Sequence, residues 1–236
     1  MKTLLSLSAL LITLTLTAQS NTATWYLNDT SGNGIQSQSS TASGSSSRAL
    51  GTQTTASGDY STALGNGAKA MADMATALGH NTTASGDYST AMGYTTTASG
   101  DYSTAMGYYT TASGIGSTSI GSQTVASGNF STAMGASTTA SGSWSTAMGV
   151  NTTASRYYST AMGVGTIASG ERSTATGSLT IASDRSSLVI GEYNLLGSTV
   201  TNSATDFSTE NTAFVIGNGT YVNRSDALTV LFDGTT

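Results

Sequence analysis

Between Ala42 and Leu195 a 14-residue unit repeats eleven times without an insertion, at its cleanest as ASGDYSTAMGYTTT from Ala84 to Thr97. A short fixed period admits few architectures, because each unit must bury its apolar side against copies of itself. Helical repeats need units of about 30 residues or more, and this density of glycine and threonine opposes helix. Strands fit. With the leading alanine numbered position 0, Ala fills position 0 and Gly position 9 in all eleven units. Position 5 is Ser except for Ala75, and position 7 is Ala except for Ser119 and Val189.

Side chains alternate faces along a strand. Positions 5, 7 and 9 therefore share one face, with 4, 6 and 8 on the other; positions 12, 0 and 2 oppose 13, 1 and 3. Two strands per coil, joined by turns near the glycines at positions 2 and 9, predict an all-β parallel roll. Its thin interior holds only small residues, since a 14-residue coil cannot enclose large ones. The larger apolar residues are left outside. They form a column at position 8: Leu50, Leu64, Leu78, Met92, Met106, Ile120, Met134, Met148, Met162 and Ile190, broken by Thr176. An aromatic column at position 4 runs beside it (Tyr60, Tyr88, Tyr102, Phe130, Trp144 and Tyr158). An exposed stripe of that length invites aggregation unless identical stripes cover it. A homo-oligomer of rolls packed around an axis follows, with the position 8 column at the interface.

The chain of 236 residues is only 8% charged, with no proline, no cysteine and a net charge of −5. Such a composition alone suits a flexible tract, but a flexible tract has no need of register. A weakly acidic chain without a basic run excludes nucleic acid as a partner. Met1 to Ala18 reads as a secretory signal: Lys2, an apolar core from Leu4 to Leu16, and small residues before Gln19. The organisation expected is a signal peptide over 1–18, a cap or lead-in over 19–41 and the roll over 42–195. A loop or hairpin insertion follows over 196–212, because Gly191 to Gly217 spans 26 residues and not 28. A terminal roll-like segment completes the chain over 213–236, where Ile216-Gly217 repeats the apolar-Gly step and Asn218-Gly219 marks a tight turn. No second apolar segment supplies a membrane anchor.

Candidate chemistry is sparse. His80 is the sole histidine and falls at the turn after Gly79. Serines recur because the repeat demands them, so no catalytic triad is recognisable and no enzyme is expected. Asp59, Asp73, Asp87, Asp101 and Glu171 recur at position 3. Without the glycine-paired nonapeptide of calcium rolls they read as solvated turn acids. No metal or cofactor site is expected. The outward Thr-x-Ser ladder of Thr83/Ser85, Thr97/Ser99 and Thr111/Ser113 is similar to arrays that dock on ice, but Lys69, Val125, Ile167 and Ile181 interrupt it.

The pattern A-x-G-x-x-S-x-A-[ILM]-G-x-x-[TA]-x resembles the head repeat of YadA-like trimeric autotransporter adhesins over Ala42 to about Leu195. The resemblance implies a left-handed parallel β-roll, a homotrimeric head, and an exported protein at the bacterial surface, outer membrane or exterior. It also implies adhesion to cell or matrix ligands by multivalent contact. A structural segment of a phage-like fibre is the alternative, and an ice-binding solenoid a more distant one. Family members usually continue into a coiled-coil stalk and a barrel anchor; no heptad region is visible here.

Overall fold

The computed structural model describes residues 25–28, 34–37, 39–196 and 204–236. The expected signal peptide over 1–18 lies outside the described residues, as do parts of the 19–41 and 196–212 segments. No helix occurs among the described residues. The chain is a parallel β-solenoid. Each coil adds a two-residue strand at positions 13 and 0, from β3 (Thr41–Ala42) to β23 (Ile181–Ala182). It then adds a five-residue strand at positions 6–10, from β4 (Arg48–Thr52) to β24 (Leu188–Glu192). The short strands stack into an 11-stranded sheet and the long ones into a 15-stranded sheet. Pairing is in register, like on like: Met92 beside Met106, Gly93 beside Gly107.

The core is the small-residue interior that the alternation predicts. Ala at positions 0 and 7, Ser at 5 and Thr at 12 are fully buried in nearly every coil.

Two positions depart from simple alternation. Positions 2–5 form a tight turn, in which the Ser61 N–H and Oγ both donate to the Gly58 carbonyl, at 3.3 and 2.6 Å. The aromatic residue at position 4 lies inside that turn with left-handed backbone, φ +59° at Tyr60, Tyr88, Tyr102 and Trp144. Strand alternation therefore starts only at position 6, and the aromatic column follows a corner of the roll rather than sharing the sheet face with position 8. Such a φ is an outlier for a bulky residue, and stacking explains it. The Tyr88 N–H donates back to the Asp73 carbonyl at 2.9 Å, whereas the Thr90 N–H donates onward to Ser103 at 2.9 Å. Only a local reversal lets both amides find partners in adjacent coils. The second bend falls at position 11, φ +52° at Asn81, not at the position 9 glycine, which stays within the strand.

Both ends of the long sheet are closed by hairpins. β1 (Trp25–Asn28) pairs antiparallel with β2 (Gly34–Ser37), which lies parallel to β4. At the other end β25 (Thr212–Asn218) continues the stack on β24, with Gly217 beside Gly191, and β26 (Asp226–Leu231) folds back on it. That hairpin reverses at Thr220–Asn223, where the Thr220 N–H donates to the Asn223 carbonyl at 2.6 Å, beyond the Asn218-Gly219 step. The short sheet ends differently. Asn194 Oδ1 accepts from the Ile181 N–H at 2.8 Å, and its Nδ2 donates to the Ile181 carbonyl at 3.0 Å. One amide side chain thus stands in for a missing strand at an otherwise open edge. Asp184 replaces the position 2 glycine in this last coil, and its Oδ2 accepts from the Thr212 N–H at 3.0 Å.

The interior also carries hydroxyls. Among the described residues, Thr96, Thr110 and Thr138 Oγ1 are buried without a hydrogen-bond partner, as are their equivalents in several coils. Where Ser119 replaces the position 7 alanine, its Oγ lies 2.7 Å from Thr124 Oγ1. A buried orphan hydroxyl costs about 1–3 kcal/mol. Thr110→Val is therefore expected to stabilise the roll by about 1 kcal/mol, and Ser119→Ala to destabilise it by a similar amount. Urea midpoints measure both; equal signs for the two variants would exclude this account of the interior.

Candidate interaction surface

The outer face of the long sheet carries positions 6, 8 and 10. Position 6 is threonine in nine successive coils, Thr62 to Thr174, half-buried throughout. The position 8 residues line up beside them in register. Leu64 and Met134 are exposed, at 46% and 38%, while Leu50, Leu78, Met92, Met106, Ile120, Met148, Met162 and Ile190 are half-buried. A single chain therefore presents an apolar column with a spacing of about 4.8 Å per coil, interrupted at Thr176.

A second aromatic group lies at the far end of these strands. His80 ends β8 (Thr76–His80), exposed, and its ring stacks on Tyr94 at 4.8 Å with the planes 5° apart. Tyr94 stacks on Tyr108 at 5.4 Å, and Tyr109 meets Tyr108 edge-on at 4.5 Å. Sequence reading missed this group, because position 10 elsewhere carries Asn66, Ser122, Ala136 and Val150. Three neighbouring coils with rings at equivalent positions were the available signal.

Along the position 4 corner the rings stack on one another: Tyr88 on Tyr102 at 5.0 Å, Phe130 on Trp144 at 4.4 Å, Trp144 on Tyr158 at 6.3 Å. The Arg172 guanidinium continues the series 5.9 Å over Tyr158, within cation–π range. Rings stacked face to face show the solvent mainly their edges. The position 3 acids beside them are bonded between coils. Asp59 Oδ1 accepts from the Ser45 N–H at 2.7 Å, Asp73 from Asp59 at 2.9 Å, and Asp101 from Asp87 at 3.0 Å. Asn129 does the same for Ile115 at 3.1 Å. These side chains satisfy turn amides, a structural duty that the solvated-acid reading did not include. Among the described residues no group of three His, Cys, Asp or Glu is placed to hold a metal ion. Titration is perturbed at Tyr157, the position 3 residue beside this corner, and at Asp233 beyond β26. Thr235 holds the Asp233 carboxyl below its ordinary range through backbone and hydroxyl hydrogen bonds, and a hydrogen bond with Tyr158 raises the Tyr157 phenol.

The coils coincide with a known sequence family. The family model described as the YadA head domain repeat matches residues 42–68, 72–95, 84–110, 112–138, 140–166, 157–180 and 168–191. The chain belongs to the YadA head family. The matches together span the solenoid from its first full coil to β24. A search of the curated proteins found no match. The YadA head is an adhesin-type, structural domain. This member turns outward a half-exposed apolar column, two aromatic groups and a polar short sheet.

Proposed function

We propose that this YadA head chain is an exported, non-enzymatic adhesin head that assembles as a homotrimer and binds cell or matrix surfaces by repeated weak contacts. The observation that carries the assembly is the position 8 column. Ten of eleven coils place Leu, Met or Ile on the outer face of one sheet, in register. Identical columns from sister chains cover it by symmetry. The short sheet and the corners then face outward, and three copies multiply a weak contact into useful avidity. The exported location rests on Met1 to Ala18 together with family membership.

Adhesion is testable with beads. Polystyrene beads coated with the mature chain are expected to be retained on cell layers or extracellular matrix several-fold better than albumin-coated beads. Equal retention would exclude the adhesin role and leave the fibre-segment reading.

A further inference from the structure

The turn at position 4 demands left-handed backbone, which glycine and asparagine adopt more readily than a residue with a ring. Six coils nonetheless carry Tyr, Phe or Trp there, at φ +55° to +59° and 45–63% exposed. Between Tyr60 and Tyr158 only Met74 and Gly116 interrupt them. These rings lie outside both the interior and the position 8 column, so neither the roll nor the proposed trimer accounts for them. An exposed apolar stripe that persists over so many coils marks an interaction surface.

The charges beside the rings divide by sign along the axis. Asp59, Asp73, Asp87 and Asp101 occupy position 3 in four successive coils, all exposed. Oδ1 of each accepts an amide N–H from the preceding coil, and the carboxylate charge stays at the surface. Ile115, Asn129 and Ser143 follow without charge. The same corner then turns basic, with Arg156, Arg172 and Arg185 in the last three coils. Glu171, 3.3 Å from Arg172 and 3.9 Å from Arg185, offsets part of that charge, while Asp184 is buried against Thr212. We propose that this corner docks antiparallel on the same corner of a second copy of the chain, acidic coils against basic coils.

Charge complementarity selects both the occupant and its direction. With the coils counted from Ala42, a two-fold axis across the roll between the sixth and seventh pairs the second with the eleventh. It sets Asp59 opposite Arg185, Asp73 opposite Arg172 and Asp87 opposite Arg156, coil for coil. The uncharged coils then meet at the centre, Tyr102 facing Trp144 and Ile115 facing Phe130. Parallel docking in step would set the four carboxylates on their own kind, and like charges across an interface cost several kcal/mol. A foreign basic protein would match the acidic end and oppose the basic one. From Asp59 to Arg185 the corner runs about 43 Å. A stripe of that length and about 10 Å wide offers roughly half the surface of a standard interface, so one pair of corners binds weakly and arrays of heads bind by avidity. Heads borne on one surface point the same way; an antiparallel partner comes from a facing surface.

The proposal rests on the adhesin reading and names one partner for it. Sedimentation velocity of the mature chain over a concentration series, at low salt, reads the pairing as a reversible doubling of mass. One variant joins Asp59→Asn, Asp73→Asn, Asp87→Asn and Asp101→Asn; it is expected to fold, because Asn129 already serves the Ile115 N–H through Oδ1. The other joins Arg156→Glu and Arg172→Glu, both exposed. Each variant alone is expected to pair about tenfold or more weakly than wild type. An equimolar mixture of the two should pair more tightly than either alone, because the acidic end of one again meets the basic end of the other. Wild type that never doubles, variants that pair as wild type does, or a mixture no tighter than its components each overturn the docking surface. Wild type that stays unpaired yet binds polylysine assigns the acidic end to a foreign polycation instead. Bead assays separate the two readings. Mature-chain beads that clump with one another but are not retained on cells or matrix sink the proposed adhesion to those surfaces and keep the docking surface. Beads retained there that never clump sink the docking surface only.

Discussion

Replacing Met92, Met106 and Met134 together with aspartate is expected to leave the chain monomeric in sedimentation while its β-sheet content stays unchanged. The roll's own interior does not contain these side chains. It is built from Ala, Ser and Thr at positions 0, 5, 7 and 12, all facing inward. Met92, Met106 and Met134 lie on the opposite face of the long sheet, half-buried or exposed in the single chain. Aspartate there meets water in a monomer. In a trimer, symmetry triples each substitution around one axis. Burying an unpaired carboxylate costs several kcal/mol even after relaxation, and the like charges repel one another. The sum exceeds what an interface of this kind can absorb. A trimer of unchanged mass would show that the column is not the interface and would move assembly to one of the aromatic groups.

Much of this molecule is legible in the sequence because the period is so strict. A 14-residue register by itself places Ala91 on Ala105 and Gly93 on Gly107, and alternation from position 6 onward then assigns inside and outside. What escapes are features that exist only between coils. Aromatic residues favour strands, so Tyr88 reads as the first residue of one; its left-handed φ follows from an N–H that must reach Asp73 in the preceding coil. The position 3 acids look solvated because their partner amides lie 14 residues earlier. His80 reads as an isolated loop residue until Tyr94 is stacked beneath it. Asn194 looks like one more variant of a threonine position until the short sheet runs out of strands to pair with. Periodicity predicts what every coil shares, while ends and exceptions such as Gly116 take their meaning from which neighbour is present.

Gly93→Ala is expected to split the solenoid, with a loss of about 3–5 kcal/mol and a protease-sensitive junction between two separately melting halves. Two penalties coincide at this position. The backbone holds φ +123° within β10 (Thr90–Tyr94), a region that costs a side-chain-bearing residue about 1–3 kcal/mol. A Cβ there would also lie 2.1 Å from the Gly107 carbonyl oxygen in β12 (Thr104–Tyr108). That oxygen is backbone and cannot swing aside, so the two strands must separate and lose their mutual hydrogen bonds. Position 2 shows the contrast. Gly86 is equally crowded, its Cβ falling 2.2 Å from the Gly100 carbonyl oxygen, but its φ is not left-handed. Ala72, Arg156 and Asp184 replace glycine at that position, whereas none of the eleven units replaces it at position 9. Gly86→Ala should therefore cost visibly less than Gly93→Ala in the same denaturation series. Because each coil contacts only its neighbours, a fault in the middle of the stack cannot be shared along it. The lost contacts leave two shorter stacks, each with one end that no hairpin closes. Equal unfolding midpoints for wild type and Gly93→Ala would mean that the coils slide apart at no cost, and that the glycine column is not what sets their spacing.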